Sequence, residues 1–231
     1  MGVVKNIKNA TILINMKKIL ITGTSRGIGL ATAKKFLAEG WLVYGASTSV
    51  NKNLQHQNYR HFILDLSDQI SIKTCVNKIK NENPQIDVLI DCAGVSFEPD
   101  GDEFNLSSLR KNLEVNLIGT IDLTEQIIPI LSPNGHIVLI SSKMSSLDDF
   151  TGRDYPAYRI SKTALNMYVK TLADRLKTIT VSAFDPGWVK TDMGGPNAPR
   201  EPEIPAGELY SLVTSAHPSG NFWYEGKTRS W

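Results

Sequence analysis

Lys18-Ile19-Leu20-Ile21-Thr22-Gly23-Thr24-Ser25-Arg26-Gly27-Ile28-Gly29 runs from an unbroken apolar stretch into a glycine-rich turn. An apolar run of this kind suits a strand buried on both faces of a parallel sheet, because neither side of its pleat meets water. The glycines stand where a sharp turn, a close backbone approach and tight helix packing each exclude a side chain. A helix beginning there would aim its N-terminus at a pyrophosphate. A glycine string alone is weak evidence, and the strand before it and helix after it supply the confirming context. The spacing is TGxxxGxG rather than the commoner GxGxxG.

Outward from this turn the chain alternates short apolar runs with longer helical segments. Strands are predicted at Leu42–Ala46, His61–Leu64, Ile86–Ile90, His136–Ile140, Thr178–Phe184 and Phe222–Glu225. Helices are predicted near 28–39, 68–82, 105–131, 156–177 and 205–216. A right-handed βαβ series of this length predicts an α/β fold: one Rossmann-type, doubly wound parallel sheet with helices on both faces. About seven strands in the order 3-2-1-4-5-6-7 are expected. Prolines cluster only at Pro196, Pro199, Pro202 and Pro205, which reads as a loop over a site rather than a domain boundary.

The 231 residues carry 25 Lys and Arg against 23 Asp and Glu, a net charge of +2 with no long block of one sign. That balance argues against a nucleic-acid or acidic-membrane partner. Cys75 and Cys92 stand far apart without CxxC spacing, and there are only four histidines, so neither a disulfide framework nor a metal site is expected. A reducing, cytoplasmic compartment follows. No apolar run approaches the roughly 18 residues of a bilayer span. Residues 1–15 lack the apolar stretch and cleavage site of a secretory signal. They are read as an N-terminal extension, with a single domain over 16–231 that Met16 opens.

Adenosine-ribose specificity is usually set about 20 residues past the glycine turn, where a carboxylate pairs with the 2′-hydroxyl of NAD. Ala46-Ser47-Thr48-Ser49 stands there, and no acid occurs between residues 40 and 64. The missing carboxylate removes an acceptor for NAD and a repulsion against the extra phosphate of NADP. Arg26 could reach that phosphate, with Ser47 or Thr48 donating hydrogen bonds, so NADP(H) is favoured over NAD(H). The alternative for Arg26 is a solvated loop charge.

Tyr158 and Lys162, in Tyr158-Arg159-Ile160-Ser161-Lys162, lie four residues apart and so on one helix face. A cation held near a phenol favours the phenolate, and such a pair can exchange a proton with a substrate oxygen. YxxxK alone is common by chance. With the glycine turn, however, the chain resembles the classical short-chain dehydrogenase/reductase family at each expected station in order, over about 17–231. TGTSRGIG, supplying Gly23, Ser25, Arg26, Gly27, Ile28 and Gly29, is similar to the family's cofactor motif. Asp65-Leu66 resembles the pair that contacts adenine. Asp91-Cys92-Ala93-Gly94 occupies the NNAG position with both asparagines replaced. Asn116 resembles the helix asparagine of the catalytic tetrad, and Ser142 the catalytic serine, with Ser141 its nearest rival. Pro186, Gly187, Val189 and Thr191 fall in a segment similar to the one lining the nicotinamide side. The strings around Tyr158 and Pro186, and the ending Phe222-Trp223-Tyr224-Glu225-Gly226-Lys227, look like the C-factor-like, carbonyl-reductase-like branch.

The resemblance implies that Tyr158 is the general acid in reduction. Lys162 lowers its pKa and binds the nicotinamide ribose, and Ser142 bonds the substrate oxygen. Asn116 kinks the long helix and holds a water linking Lys162 to solvent. The leading expectation is an NAD(P)(H)-dependent oxidoreductase interconverting a carbonyl and an alcohol on a small organic substrate. The alternative is a C-factor-like signalling protein that binds a dinucleotide with little turnover. Specificity is expected in the loops near 95–104, 145–156 and 192–205. Arg153, Asp148 and Asp149 are either substrate contacts or solvated charges, and Trp188 either roofs the cofactor or fills the core. His136 and His217 are expected to be structural. The helices at 105–131 and 156–177 are apolar on more than one side, and relatives pair through them, so a homodimer is compatible with the sequence, as is a monomer.

Overall fold

The computed structural model describes residues 16–82, 85–98 and 104–231. The extension read at 1–15 and part of the 95–104 loop lie outside them. One sheet contains β1 (Lys18–Thr22), β2 (Leu42–Ser47), β3 (Tyr59–Ile63), β4 (Ile86–Asp91), β5 (Leu131–Ile140), β6 (Thr180–Phe184), β7 (Asn221–Tyr224) and β8 (Lys227–Thr228). Its order is β3-β2-β1-β4-β5-β6-β7-β8. Every pairing is parallel except that of β8 with β7. The helices are α1 (Gly27–Ala38), α2 (Gln69–Asn81), α3 (Leu106–Leu113), α4 (Thr120–Ile127), α5 (Pro156–Arg175) and α6 (Glu203–Thr214).

Successive strand residues point to opposite faces, so two cores share one sheet. Ile19, Ile21, Val88, Ile90, Val138 and Ile140 pack with Phe36, Leu37 and Leu209 beneath α1 and α6. Leu20, Leu89, Ile137 and Leu139 pack with Val76, Leu123, Leu165 and Val169 beneath α2, α4 and α5. This double burial is why the strands read as unbroken apolar runs. Each fully buried side chain such as Ile19, Leu20 or Ile21 contributes about 1.5–3 kcal/mol relative to exposure. Among the described residues no helix is long and apolar enough to cross a membrane.

The structure departs from the sequence reading in three places. First, an eighth strand extends the sheet, because Glu225 and Gly226 both take positive φ, 49° and 72°. Two such residues make the two-residue turn that reverses a strand at once. Second, the helix expected over 105–131 is broken by a π-helical segment at Glu114–Gly119, and it ends at Ile127 before a 3-10 turn over Ile128–Ile130 that contains Pro129. Third, β5 begins at Leu131, which pairs with Ile86, and the register then shifts before His136 pairs with Val88. The irregular residues between them include Asn134 at φ 65°. On the helices expected to pair two copies, Ile118, Ile160 and Met167 are exposed.

His136 lies on β5, buried, with Nε2 2.9 Å from Ser182 Oγ on β6. Burial, with a smaller push from His217, lowers its pKa to about 4. The folded protein therefore holds a neutral imidazole while the unfolded chain protonates near 6.5, so stability falls as pH drops from about 6.5 to 4. The loss from this group is about 3 kcal/mol. Urea unfolding at pH 7 and pH 4.5 measures it, and His136→Gln is expected to flatten that difference. An unchanged pH dependence in the variant would remove His136 as the cause.

Candidate active site

The strand order reverses between β1 and β4, and the crevice beyond the carboxyl ends of these strands is where α/β sheets bind ligands. Thr22, the last residue of β1, ties the two strands together. Its Oγ1 accepts the amides of Cys92 (2.9 Å) and Ala93 (2.8 Å) and donates to Asp91 Oδ1 at 2.5 Å. Gly23, at φ +73°, lies so close that an added Cβ would stand 3.2 Å from the Ala93 backbone. A Cβ at Gly29 would collide with the Gly23 carbonyl. The turn is thus pressed against both its own helix and the β4 end.

The α1 N-terminus has no side-chain cap and no acidic residue in its first turn. Its free amides and positive dipole end suit a phosphate group. Arg26 is the N-cap residue, and its guanidinium pairs with Asp192 at 2.9 Å, both side chains being well exposed. Thr191 closes over Gly27, where an added Cβ would meet its methyl at 3.1 Å. Along the adenosine side, Ser47 is buried and donates to Ser49 O at 2.8 Å, while Thr48 is exposed. Asn51 Nδ2 donates to Ser25 O at 2.8 Å, joining this edge to the glycine turn. Asp65 Oδ1 accepts from the Ser67 amide and hydroxyl, and Leu66 is buried.

The four expected catalytic positions converge beside this crevice. α5 starts at Pro156, after Tyr155 at φ 56°, and the Tyr158 amide donates to Glu98 Oε1 at 2.8 Å. The glutamate thereby caps the helix that carries Tyr158, a role no local sequence signal announces. The Ser142 hydroxyl lies near the Tyr158 phenol and draws its pKa down. Ser142 Oγ also accepts the Met144 amide at 3.1 Å, so it caps the turn after β5 while facing the phenol. Ser141, its rival, is spent elsewhere: its hydroxyl donates to Asn166 Oδ1 at 2.6 Å. Lys162 Nζ donates to Ile140 O at 2.8 Å and lies 5.8 Å from the Tyr158 ring centroid. Asn116 sits in the π-helical segment, where its amide bonds Val95 N and Val95 O, both at 2.8 Å, and Ser161 Oγ at 3.1 Å. The local widening of the helix, one extra residue per turn, turns this side chain inward. Gly94 passes between Asn116 and Lys162, with room for a Cβ only at 3.3 Å and 3.4 Å from their polar atoms.

The electrostatics depart from the sequence expectation that the cation sets the Tyr158 pKa. Burial pushes the phenol up to about 12; the Ser142 hydrogen bond draws it down, and Asp185 and Cys92 add to the rise. Burial also lowers Lys162 to about 8, opposed by Asp91 and Cys92. Tyr158 is therefore a protonated phenol at neutral pH, the state a proton donor requires.

The rim is built from residues distant in sequence. Asp185 Oδ1 accepts the Gly187 amide at 2.9 Å, and Arg229 pairs with both Asp185 and Asp149. Asp149 is thus committed within the protein. Arg200 pairs with Glu208 and Glu225, and Arg200 and Arg229 each lie 5.4 Å from the Tyr224 ring. Sequence reading found neither arginine, because neither belongs to a local motif. Pro186 and Val189 are buried under this network. Trp188 is exposed and donates to Gly194 O at 2.7 Å, which rules out a core-filling role. Among the described residues no group of three or more His, Cys, Asp or Glu side chains could hold a metal ion.

A family model described as short chain dehydrogenase matches residues 17–202. Carbonyl reductase (NADPH) 1 of Macaca fascicularis is 26% identical over 92% of this chain and 97% of its own length. The 3-oxoacyl-(acyl-carrier-protein) reductase FabG of Salmonella typhimurium is 30% identical over 77% of this chain and 75% of its own. Among solved structures, the carbonyl reductase Sniffer of D. melanogaster superposes with a TM-score of 0.86 at 27% identity, covering 94% of this chain and all of that one. An NADPH-bound carbonyl reductase from chicken fatty liver superposes with a TM-score of 0.84 at 25% identity, covering 94% of each chain.

Proposed function

The chain belongs to the short-chain dehydrogenase family, a family of oxidoreductases, and on that premise we propose that it is an NADP(H)-preferring reductase of small carbonyl compounds acting in the cytoplasm. The observation that carries this reading is the convergence of Ser142 and Lys162 on the Tyr158 phenol, beside an uncapped helix N-terminus at the sheet's switch point. Two free cysteines, Cys75 and Cys92, accord with a reducing compartment.

When bound, NADPH supplies the hydride. The glycine turn from Gly23 to Gly29, supplying Ser25, Gly27 and Ile28, would hold the pyrophosphate on the α1 amides, and Arg26, Ser47 and Thr48 would recognise the 2′-phosphate. Asp65 and Leu66 would border the adenine, and Cys92, Ala93 and Gly94 would form the floor beneath the cofactor. Pro186, Gly187, Val189 and Thr191 would line the nicotinamide side. Ser142 donates to the substrate oxygen as negative charge builds there, and Tyr158 delivers its proton to that atom. Lys162 would bind the ribose, and Asn116 steadies the segment around Val95 and Gly94.

The reading is tested by mixing purified protein with a panel of aldehydes and ketones and following NADPH and NADH oxidation. NADPH-dependent turnover of at least one compound is expected, and its absence across the panel would overturn the reading. Arg26→Ala is expected to weaken NADPH binding about tenfold, the loss of roughly 1.4 kcal/mol, while leaving NADH binding unchanged. Equal losses for both cofactors would remove Arg26 from 2′-phosphate recognition. The expected loss is modest because the side chain is exposed and must leave Asp192.

A further inference from the structure

Asp91 ends β4 at a position where the family pattern carries asparagine, and it is 3% exposed. Its surroundings account for one carboxyl oxygen and not the other. Thr22 Oγ1 accepts two backbone amides, so its single proton goes to Asp91 Oδ1, 2.5 Å away. Oδ2 is buried and has no hydrogen-bond partner among the described residues. The Thr120 hydroxyl lies beside the carboxyl, but its own hydrogen bond runs to Val115 O at 3.4 Å. An asparagine would satisfy Thr22 equally well through its carbonyl oxygen. What aspartate adds is charge, and a buried charge is tolerated only near an opposite one.

The opposite charge is Lys162. Asp91 pairs in register with Leu139, and the Lys162 ammonium donates to Ile140 O, the next residue of that strand. Lys162 is 4% exposed and its Nζ lies against Gly94, three residues past Asp91. We propose that Asp91 is a positioning residue that acts through Lys162, its carboxylate serving as the buried counter-charge that holds Lys162 as an ammonium at neutral pH. The inference rests on the reading above only in giving Lys162 a part in the reaction.

The titration behaviour agrees with the geometry. Burial raises Asp91 to about 6, while Thr22, Lys162 and Thr120 draw it down. Burial lowers Lys162 to about 8, and Asp91 is the leading group pulling it back up. Both members are charged between those values. The other titratable groups facing the pair are the Cys92 thiol, pushed up to about 12 by burial, and the Tyr158 and Tyr168 phenols, both raised chiefly by burial. All three are neutral near pH 7, which leaves Asp91 as the anion available to Lys162.

The test is Asp91→Asn, read first in cofactor-free protein by NMR titration of the labelled Lys162 side chain. Lys162 is expected to titrate about one pH unit lower, and in turnover the alkaline limb of kcat/KM is expected to move down by the same amount. A purely structural role for Asp91 would lower activity without moving either titration. Linkage requires the reciprocal effect, so in Lys162→Met the carbon signal of the Asp91 carboxyl is expected to titrate higher than in wild type. That second measurement decides the matter should Asp91→Asn fail to fold. Unmoved titrations in folded variants overturn the inference even if carbonyls are reduced. If no carbonyl is reduced while Lys162 shifts, the coupling stands and the proposed reaction fails.

Discussion

Tyr158→Phe is expected to lower kcat/KM for carbonyl reduction by about 10²–10⁴-fold while leaving NADPH binding and thermal stability close to wild type. The phenol's structural work is small: the neighbouring Ser142 hydroxyl is held by the Met144 amide, which stays in place when the phenol hydroxyl is gone. The ring itself is retained, so packing over Lys162 persists. Proton delivery to the carbonyl oxygen is lost, because Ser142 is a poorer acid and Ser141 is committed to Asn166. Single-turnover hydride transfer with saturating NADPH, together with cofactor affinity by fluorescence, separates the two effects. Wild-type turnover in the variant would show that Tyr158 is not the acid. NADPH binding of the same affinity in both proteins, with no turnover in either, would favour the dinucleotide-binding alternative.

Gly119→Ala is expected to be among the most damaging small substitutions, at about 3 kcal/mol. Gly119 ends the π-helical segment against the Leu66 backbone, and an added Cβ would fall well inside contact distance of the Leu66 carbonyl. Neither partner can yield through a side-chain rotation, since both are main chain. The strain would reach Leu66, which is proposed to border the adenine, and Asn116 within the same segment, so weaker NADPH binding should accompany the loss of stability. Urea unfolding and cofactor titration measure both. Gly207 provides the contrast: it lies within α6 with nothing within 4 Å of an added Cβ, and alanine there is expected to be neutral or stabilising. A Gly119→Ala protein as stable as Gly207→Ala would show that the helix can move away from Leu66.

Much of this molecule was legible because its signals are local. The strand, glycine turn and helix at 18–38, the Tyr158–Lys162 pair and the proline-rich loop each occupy a few consecutive residues. Their chemistry follows from side-chain type and helical spacing. The eighth strand was missed because it consists of two residues, Lys227–Thr228, and depends on a backbone turn rather than on an apolar pattern. The break in the 105–131 helix was invisible to periodicity, because a π-helical segment shifts the apolar stripe without removing it. The asparagine motif predicted a kink there, and the structure supplies its form at Glu114–Gly119.

By itself the sequence determined the fold class, the strand order and the positions brought to the crevice, since these follow from alternation, turn chemistry and a motif series held in one order. Tertiary structure alone decided the charges. Whether Tyr158 stands as a phenol, whether Lys162 stays cationic and which carboxylate answers it depend on burial and on neighbours far away in the chain. Asp91 lies 69 residues from the Thr22 hydroxyl that bonds it, and Arg229 lies 44 residues from Asp185. Desolvation and Coulomb attraction act through space and leave no trace in local spacing.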